Sequence, residues 1–238
     1  MPPDHSSTPS SHAQIVDIGA VLFDMDGTLV DSEHMTERAV AALLAGLGIA
    51  DHGLDPRRFH GVTWASIAAA VGCAHPSAAE ACTAEALHRH FHAQWVSHPP
   101  PLVPGARAAI EGARQCGRTA IVTSSRRPSV ELLLKEHGLE GCFDAIVTAE
   151  DITRSKPDPE PFLTAATRLG VAPQRCLVFE DSLAGLTAAR DAGMFRVAVT
   201  HSCADPAAAA RIATMSVRDH TQLPEGFFDR ACAPLTVK

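Results

Sequence analysis

The chain has 238 residues, 46% of them hydrophobic, and a net charge of −7 from 27 acidic and 20 basic side chains. That is enough apolar material for one large domain, or for a core with a second domain inserted. The acidic balance argues against nucleic acid as a partner, because phosphate neutralisation needs clustered Lys and Arg. No apolar run approaches the roughly 20 residues that span a bilayer, so no membrane partner is expected.

Residues 1–14 are rich in Ser, Pro and His. They lack the basic start and apolar stretch of a secretory signal, and the expectation is a disordered tail. The seven cysteines (Cys73, Cys82, Cys116, Cys142, Cys176, Cys203 and Cys232) are scattered and odd in number. This predicts reduced thiols and a cytoplasmic protein.

From Ile15 onward, strand-like and helix-like segments alternate, the pattern of a parallel sheet with crossover helices. The first apolar run predicts a buried strand over Ala20–Asp24, leading into Asp24-Met25-Asp26-Gly27-Thr28. Ligands of open α/β sheets bind beyond the carboxyl ends of the strands. There, one carboxylate can attack and the other can carry a proton. Residues 33–100 interrupt the alternation. Their apolar residues fall at helical spacing: Val40, Leu43, Leu44 and Leu47, then Ile67 and Val71, then Leu87 and Phe91. A small inserted helical domain is expected, with hinges at Val30-Asp31-Ser32 and Pro99-Pro100-Pro101.

The alternation then resumes. Strands are predicted over Thr119–Thr123, Ala145–Thr148, Cys176–Glu180 and Arg196–Val199. The helices between them carry Pro near their starts or Gly after their ends. After Thr200 the chain is expected to add a helix and a tail. The core thus comprises residues 15–32 and 101–238, an α/β Rossmann-like three-layer fold with a central parallel sheet, and the helical insertion makes a cap.

Polar residues end four of these strands: Asp24 and Asp26, Thr123 and Ser124, Lys156 beyond a short loop, and Glu180 with Asp181. A parallel sheet brings all four ends to one edge. Four carboxylates meeting there would repel, at about 4 kcal/mol per pair for 4 Å and a dielectric near 20. One Lys does not offset that. A hard divalent cation does, and Mg²⁺ suits carboxylate oxygens.

These motifs resemble the haloacid dehalogenase superfamily of phosphotransferases. The resemblance rests on Asp24-Met25-Asp26-Gly27-Thr28-Leu29-Val30-Asp31-Ser32, Ile121-Val122-Thr123-Ser124-Ser125, Lys156-Pro157-Asp158-Pro159 and Val178-Phe179-Glu180-Asp181-Ser182. It covers nearly everything from Ile18 to Thr200, and four motifs in this order are highly specific. It implies Asp24 as nucleophile, forming an aspartyl-phosphate, and Asp26 as general acid/base. It also implies Thr123 and the Ser124 amide as phosphate binders and Lys156 as the charge-stabilising lysine. Mg²⁺ would be held by Asp24, the Asp26 carbonyl and Asp181, with Glu180 a direct or an outer ligand. The insertion resembles the family's small cap, whose loop touches the leaving group; His60, Thr63 and Trp64 are the matching positions. Trp64 packed in the cap core is the competing reading.

The function implied is an Mg²⁺-dependent phosphatase for a small phosphorylated metabolite, sugar phosphates included; with no coiled-coil pattern in the sequence, a monomer is the default expectation. A phosphomutase similar to β-phosphoglucomutase is the alternative. That enzyme carries a cap Arg and an early His where Trp64 and Thr36 stand here, which weakens it. A non-catalytic phospho-aspartate signalling module is a third reading, opposed by Asp26 beside the acceptor. His88, His90, His92 and His98 are read as a helix face rather than a metal site, since no Cys or acidic partner completes them.

Overall fold

The computed structural model describes residues 15–50, 53–55 and 64–233. Six parallel strands form one sheet in the order β3-β2-β1-β4-β5-β6. They are β1 (Ala20–Phe23), β2 (Arg118–Val122), β3 (Ala145–Val147), β4 (Cys176–Glu180), β5 (Phe195–Val199) and β6 (Met215–Val217). β1 and β4 lie at the centre and are buried at every residue. A sheet covered on both faces needs apolar side chains on both, which is why these strands read as unbroken apolar runs.

The strand period of two sorts those side chains into two layers. Val21 and Phe23 join Ile121, Leu177, Phe179 and Val197 in one core, together with residues of α4 (Ala106–Cys116), α5 (Arg127–Glu136) and α9 (Phe227–Ala231). Ala20 and Leu22 join Ala120, Val122 and Val178 in the other, with residues of α6 (Glu160–Leu169) and α7 (Leu183–Asp191). The result is the three-layer α/β core that the alternation predicts.

Between β1 and β2 lie α1 (Glu33–Gly46), α2 (Trp64–Ala74) and α3 (Ala84–Ser97). They form the helical cap and bury a core of their own, with Val40, Leu43, Leu44, Ile67, Val71 and Leu87 all inside. Leu47, expected on this apolar face, is 44% exposed. The helix has ended by then: the Leu47 N–H donates to the Leu44 carbonyl and the Gly48 N–H to that of Ala45, both at 3.0 Å. The two chain segments joining cap and core pair with each other: Asp31 N–H donates to the Pro101 carbonyl at 2.9 Å and Val103 N–H to that of Leu29 at 2.9 Å.

Two expectations are corrected. The sheet has a sixth strand, β6, where only a helix and a tail were expected; it is three residues at the sheet edge with an exposed centre, too short to show a period. The expected helix is α8 (Pro206–Ile212), before β6, and the chain then closes with α9 against the core. Cys116 and Cys232 are joined as a disulfide with Cα atoms 5.4 Å apart, so the expectation of uniformly reduced thiols fails. The ends of α4 and α9 meet in space across 116 residues of sequence, a proximity that spacing does not reveal.

Candidate active site

Register assembles the site. Phe23 pairs with Ile121 on one side and with Phe179 on the other, so Asp24, Val122 and Glu180 are level at the carboxyl edge of the sheet. Asp24 and Thr123 each lie one residue past the end of their strands rather than inside them. Asp24, Thr123, Glu180 and Asp181 are all buried.

Lys156 enters from the loop after β3. Its Nζ donates to Asp24 Oδ1 at 2.5 Å, to Glu180 Oε2 at 2.7 Å and to the Val122 carbonyl at 3.0 Å. The other Glu180 oxygen accepts from Ser182 Oγ at 2.8 Å and Ser182 N–H at 3.0 Å. Ser182 also caps α7, accepting from Gly185 N–H at 3.0 Å. Thr28 Oγ1 donates to Asp181 Oδ1 at 3.4 Å.

Asp26 has a different environment. Ser32 Oγ donates to its Oδ1 and Ser125 Oγ to its Oδ2, both at 2.7 Å. Thr123 Oγ1 accepts from Ser125 N–H at 2.9 Å, which leaves its own hydrogen for another acceptor. Ser124, by contrast, is exposed.

The charges are unevenly compensated. Burial pushes the Asp24 carboxyl well above its ordinary pKa; Glu180 adds to the rise and Lys156 opposes it. Burial also raises Asp26, while the two serine hydroxyls pull it back. For Lys156 burial disfavours the charge, but Asp24 and Glu180 outweigh it and hold the ammonium above its usual range. The lysine is therefore charged, and the carboxylates around it remain in excess.

Asp24, Glu180 and Asp181 each bring an oxygen within 4.8 Å of the others, the one group of three or more such ligands among the described residues. Two glycines keep space around it. A Cβ at Gly185 would overlap the Glu180 carboxylate, and one at Gly27 would lie 2.7 Å from Asp181 Cγ. A set of hard carboxylate oxygens with excess negative charge fits a divalent cation such as Mg²⁺.

His60 and Thr63 lie outside the described residues. Trp64 opens α2, half-buried, with its ring edge-on to Phe91 at 5.2 Å and to His88 at 6.4 Å. Sequence reasoning gave no role to Ser32, Ser125 or Thr28. All three are hydroxyl residues within or beside the motifs, and a buried carboxylate's need for donors was the signal available.

The family model of haloacid dehalogenase-like hydrolases matches residues 18–193. The chain belongs to this family. A validoxylamine A 7′-phosphate phosphatase from Streptomyces hygroscopicus subsp. limoneus is 34% identical over 189 residues, covering 75% of this chain and 84% of that protein. Hexitol phosphatase B from Escherichia coli K12 is 31% identical over 194 residues, covering 76% and 82%. The crystal structure of CbbY from Rhodobacter sphaeroides in complex with phosphate superposes with a TM-score of 0.71 at 28% identity, covering 87% and 96%. The enzyme class that follows for this family member is phosphoric monoester hydrolase. No described helix is long and apolar enough to cross a membrane.

Proposed function

We propose that this haloacid dehalogenase-like hydrolase is a phosphatase for a small phosphorylated metabolite, with sugar phosphates the best-supported class. The observation that carries the reading is the division between two carboxylates two residues apart. Asp24 is tied to Lys156, whereas Asp26 is held by two hydroxyls. A nucleophile needs a neighbouring cation where phosphoryl charge gathers, and a proton carrier needs orientation without neutralisation. The relatives' names, a validoxylamine A 7′-phosphate phosphatase and a hexitol phosphatase, supply the substrate class.

In the first step, a carboxylate oxygen of Asp24 attacks phosphorus, the bond from phosphorus to the ester oxygen breaks, and Asp26 gives its proton to that oxygen. In the second, Asp26 takes a proton from water as the water oxygen attacks the aspartyl-phosphate. Asp24 is regenerated and inorganic phosphate leaves. Lys156 faces the phosphoryl oxygens, with the Thr123 hydroxyl and Ser124 amide as further donors. Asp24, Glu180, Asp181 and the Asp26 carbonyl would hold Mg²⁺, which when bound supplies positive charge to the phosphoryl group and the carboxylates. The cap residues His60, Thr63 and Trp64 are proposed to meet the leaving group.

The test is a phosphate-release screen over phosphorylated sugars, polyols, nucleotides and small acids with Mg²⁺. Turnover is expected on at least one sugar or polyol phosphate, lost in Asp24→Asn and after exhaustive chelation. Substantial turnover by Asp24→Asn overturns the nucleophile. Isomerised product without phosphate release replaces the phosphatase with a mutase.

A further inference from the structure

His220 lies beyond β6, in a 3-10 turn over His220–Gln222, and is 4% exposed. Its Nε2 is 2.8 Å from the backbone oxygen of Thr28. A carbonyl only accepts, so Nε2 carries the hydrogen and Nδ1 presents a bare lone pair. That Nδ1 is buried and has no partner among the described residues. The ring packs against Phe179 at 5.3 Å and Phe23 at 6.3 Å between centroids. These phenylalanines immediately precede Glu180 and Asp24.

An unpaired nitrogen among aromatic rings is costly, and an apolar side chain would fill the space without that cost. What the imidazole adds is one donor at one carbonyl. Burial also lowers the His220 pKa, which keeps the ring neutral and the single-donor form in place.

The carbonyl concerned belongs to the catalytic loop. Leu29 N–H and Val30 N–H both return to the Met25 carbonyl, at 2.9 and 3.1 Å, and Gly27 N–H donates to that of Val30 at 2.8 Å. This tight turn carries Asp26 at its start. Thr28, at its middle, faces His220 with its carbonyl and Asp181 with its hydroxyl. His220 is itself anchored, its N–H donating to the Pro104 carbonyl at 3.1 Å.

We propose that His220 is a positioning residue: its Nε2–H fixes the Thr28 carbonyl, and with it the turn that sets Asp26 and the Thr28–Asp181 contact. The kinetic part of this inference rests on the phosphatase reading. The structural part does not.

The test compares wild type with His220→Leu, which fills the space without a donor, and His220→Gln, which restores an N–H. In the leucine variant kcat is expected to fall about tenfold or more while KM stays within about threefold, and glutamine recovers most of the loss. Hydrogen exchange of the Gly27–Val30 amides speeds up in the leucine variant, with the sheet unchanged. Wild-type kcat and exchange in His220→Leu overturn the proposal, as does a uniform loosening of the core that glutamine does not repair. If wild type releases phosphate from no ester, the phosphatase reading fails and the exchange comparison alone decides. A leucine variant that does not fold is replaced by His220→Phe, with the same outcomes.

Discussion

Ser125 donates to Asp26 at 2.7 Å across 99 residues of sequence. Ser32 holds the other oxygen of the same carboxylate. Together they oppose the burial that raises the Asp26 pKa, and they fix which way its oxygens face.

We predict that Ser125→Ala lowers kcat about tenfold with little change in the circular dichroism spectrum, since one charge-assisted hydrogen bond is lost at a half-buried carboxylate. Steady-state kinetics on the best substrate from the phosphate-release screen checks this. An unchanged kcat would mean that Ser32 alone orients the carboxylate.

A second prediction concerns Gly185. It sits in α7 with ordinary helical backbone, where alanine normally stabilises by up to about 1 kcal/mol. Here the added methyl would run into the Glu180 carboxylate. Gly185→Ala should therefore raise the Mg²⁺ concentration for half-maximal activity about tenfold, because Glu180 cannot keep its place beside Lys156 and Ser182. Gly46, which has nothing within 4 Å of its would-be Cβ, serves as the control. Equal metal requirements in Gly185→Ala and Gly46→Ala would sink the idea.

These two residues mark how far the sequence reaches. β1 and β4 are legible because their burial on both faces forces continuous apolar runs. The helices α4 to α7 are legible because Gly or Pro punctuates them. Asp24, Thr123, Lys156, Glu180 and Asp181 are legible because strand ends in a parallel sheet share an edge. Ser32 and Ser125 are not, because a serine becomes a carboxylate's partner only through what lies across from it. His220 sits in a polar stretch with no periodicity, and its partner is a backbone atom 192 residues away. The Cys116–Cys232 pairing is hidden for the same reason.

Asp151 gives a pH-dependent prediction for stability. Its carboxylate accepts from Thr148 N–H at 2.9 Å, Thr148 Oγ1 at 2.7 Å, Arg127 at 2.8 Å and Arg168 at 2.7 Å, tying the loop after β3 to α5 and α6. Burial alone would raise its pKa, but Arg168 and Thr148 outweigh it and hold the group well below the ordinary 3.8. A depressed folded-state pKa stabilises above the unfolded value, and the stabilisation is lost as pH falls through the folded one. We predict that Asp151→Asn is about 1–3 kcal/mol less stable than wild type at pH 7, and that the gap narrows below about pH 4. Urea unfolding at pH 7, 5 and 3 measures it. A gap that stays constant with pH would show that the charge on Asp151 contributes nothing.

The last prediction separates the two positive charges that the site calls for. Lys156 is buried against Asp24 and Glu180, with Asp181 close by. Removing it leaves carboxylates without compensation, which for a buried pair costs about 3–5 kcal/mol. A divalent cation on the same oxygens would restore part of that. We therefore predict that Lys156→Met loses at least about 100-fold in kcat. Its thermal midpoint should fall in chelator and recover with Mg²⁺ by more than the wild-type midpoint moves. Differential scanning calorimetry with and without Mg²⁺ gives the comparison. If Mg²⁺ shifts both proteins equally, lysine and cation do not share the carboxylate cluster, and the metal lies elsewhere.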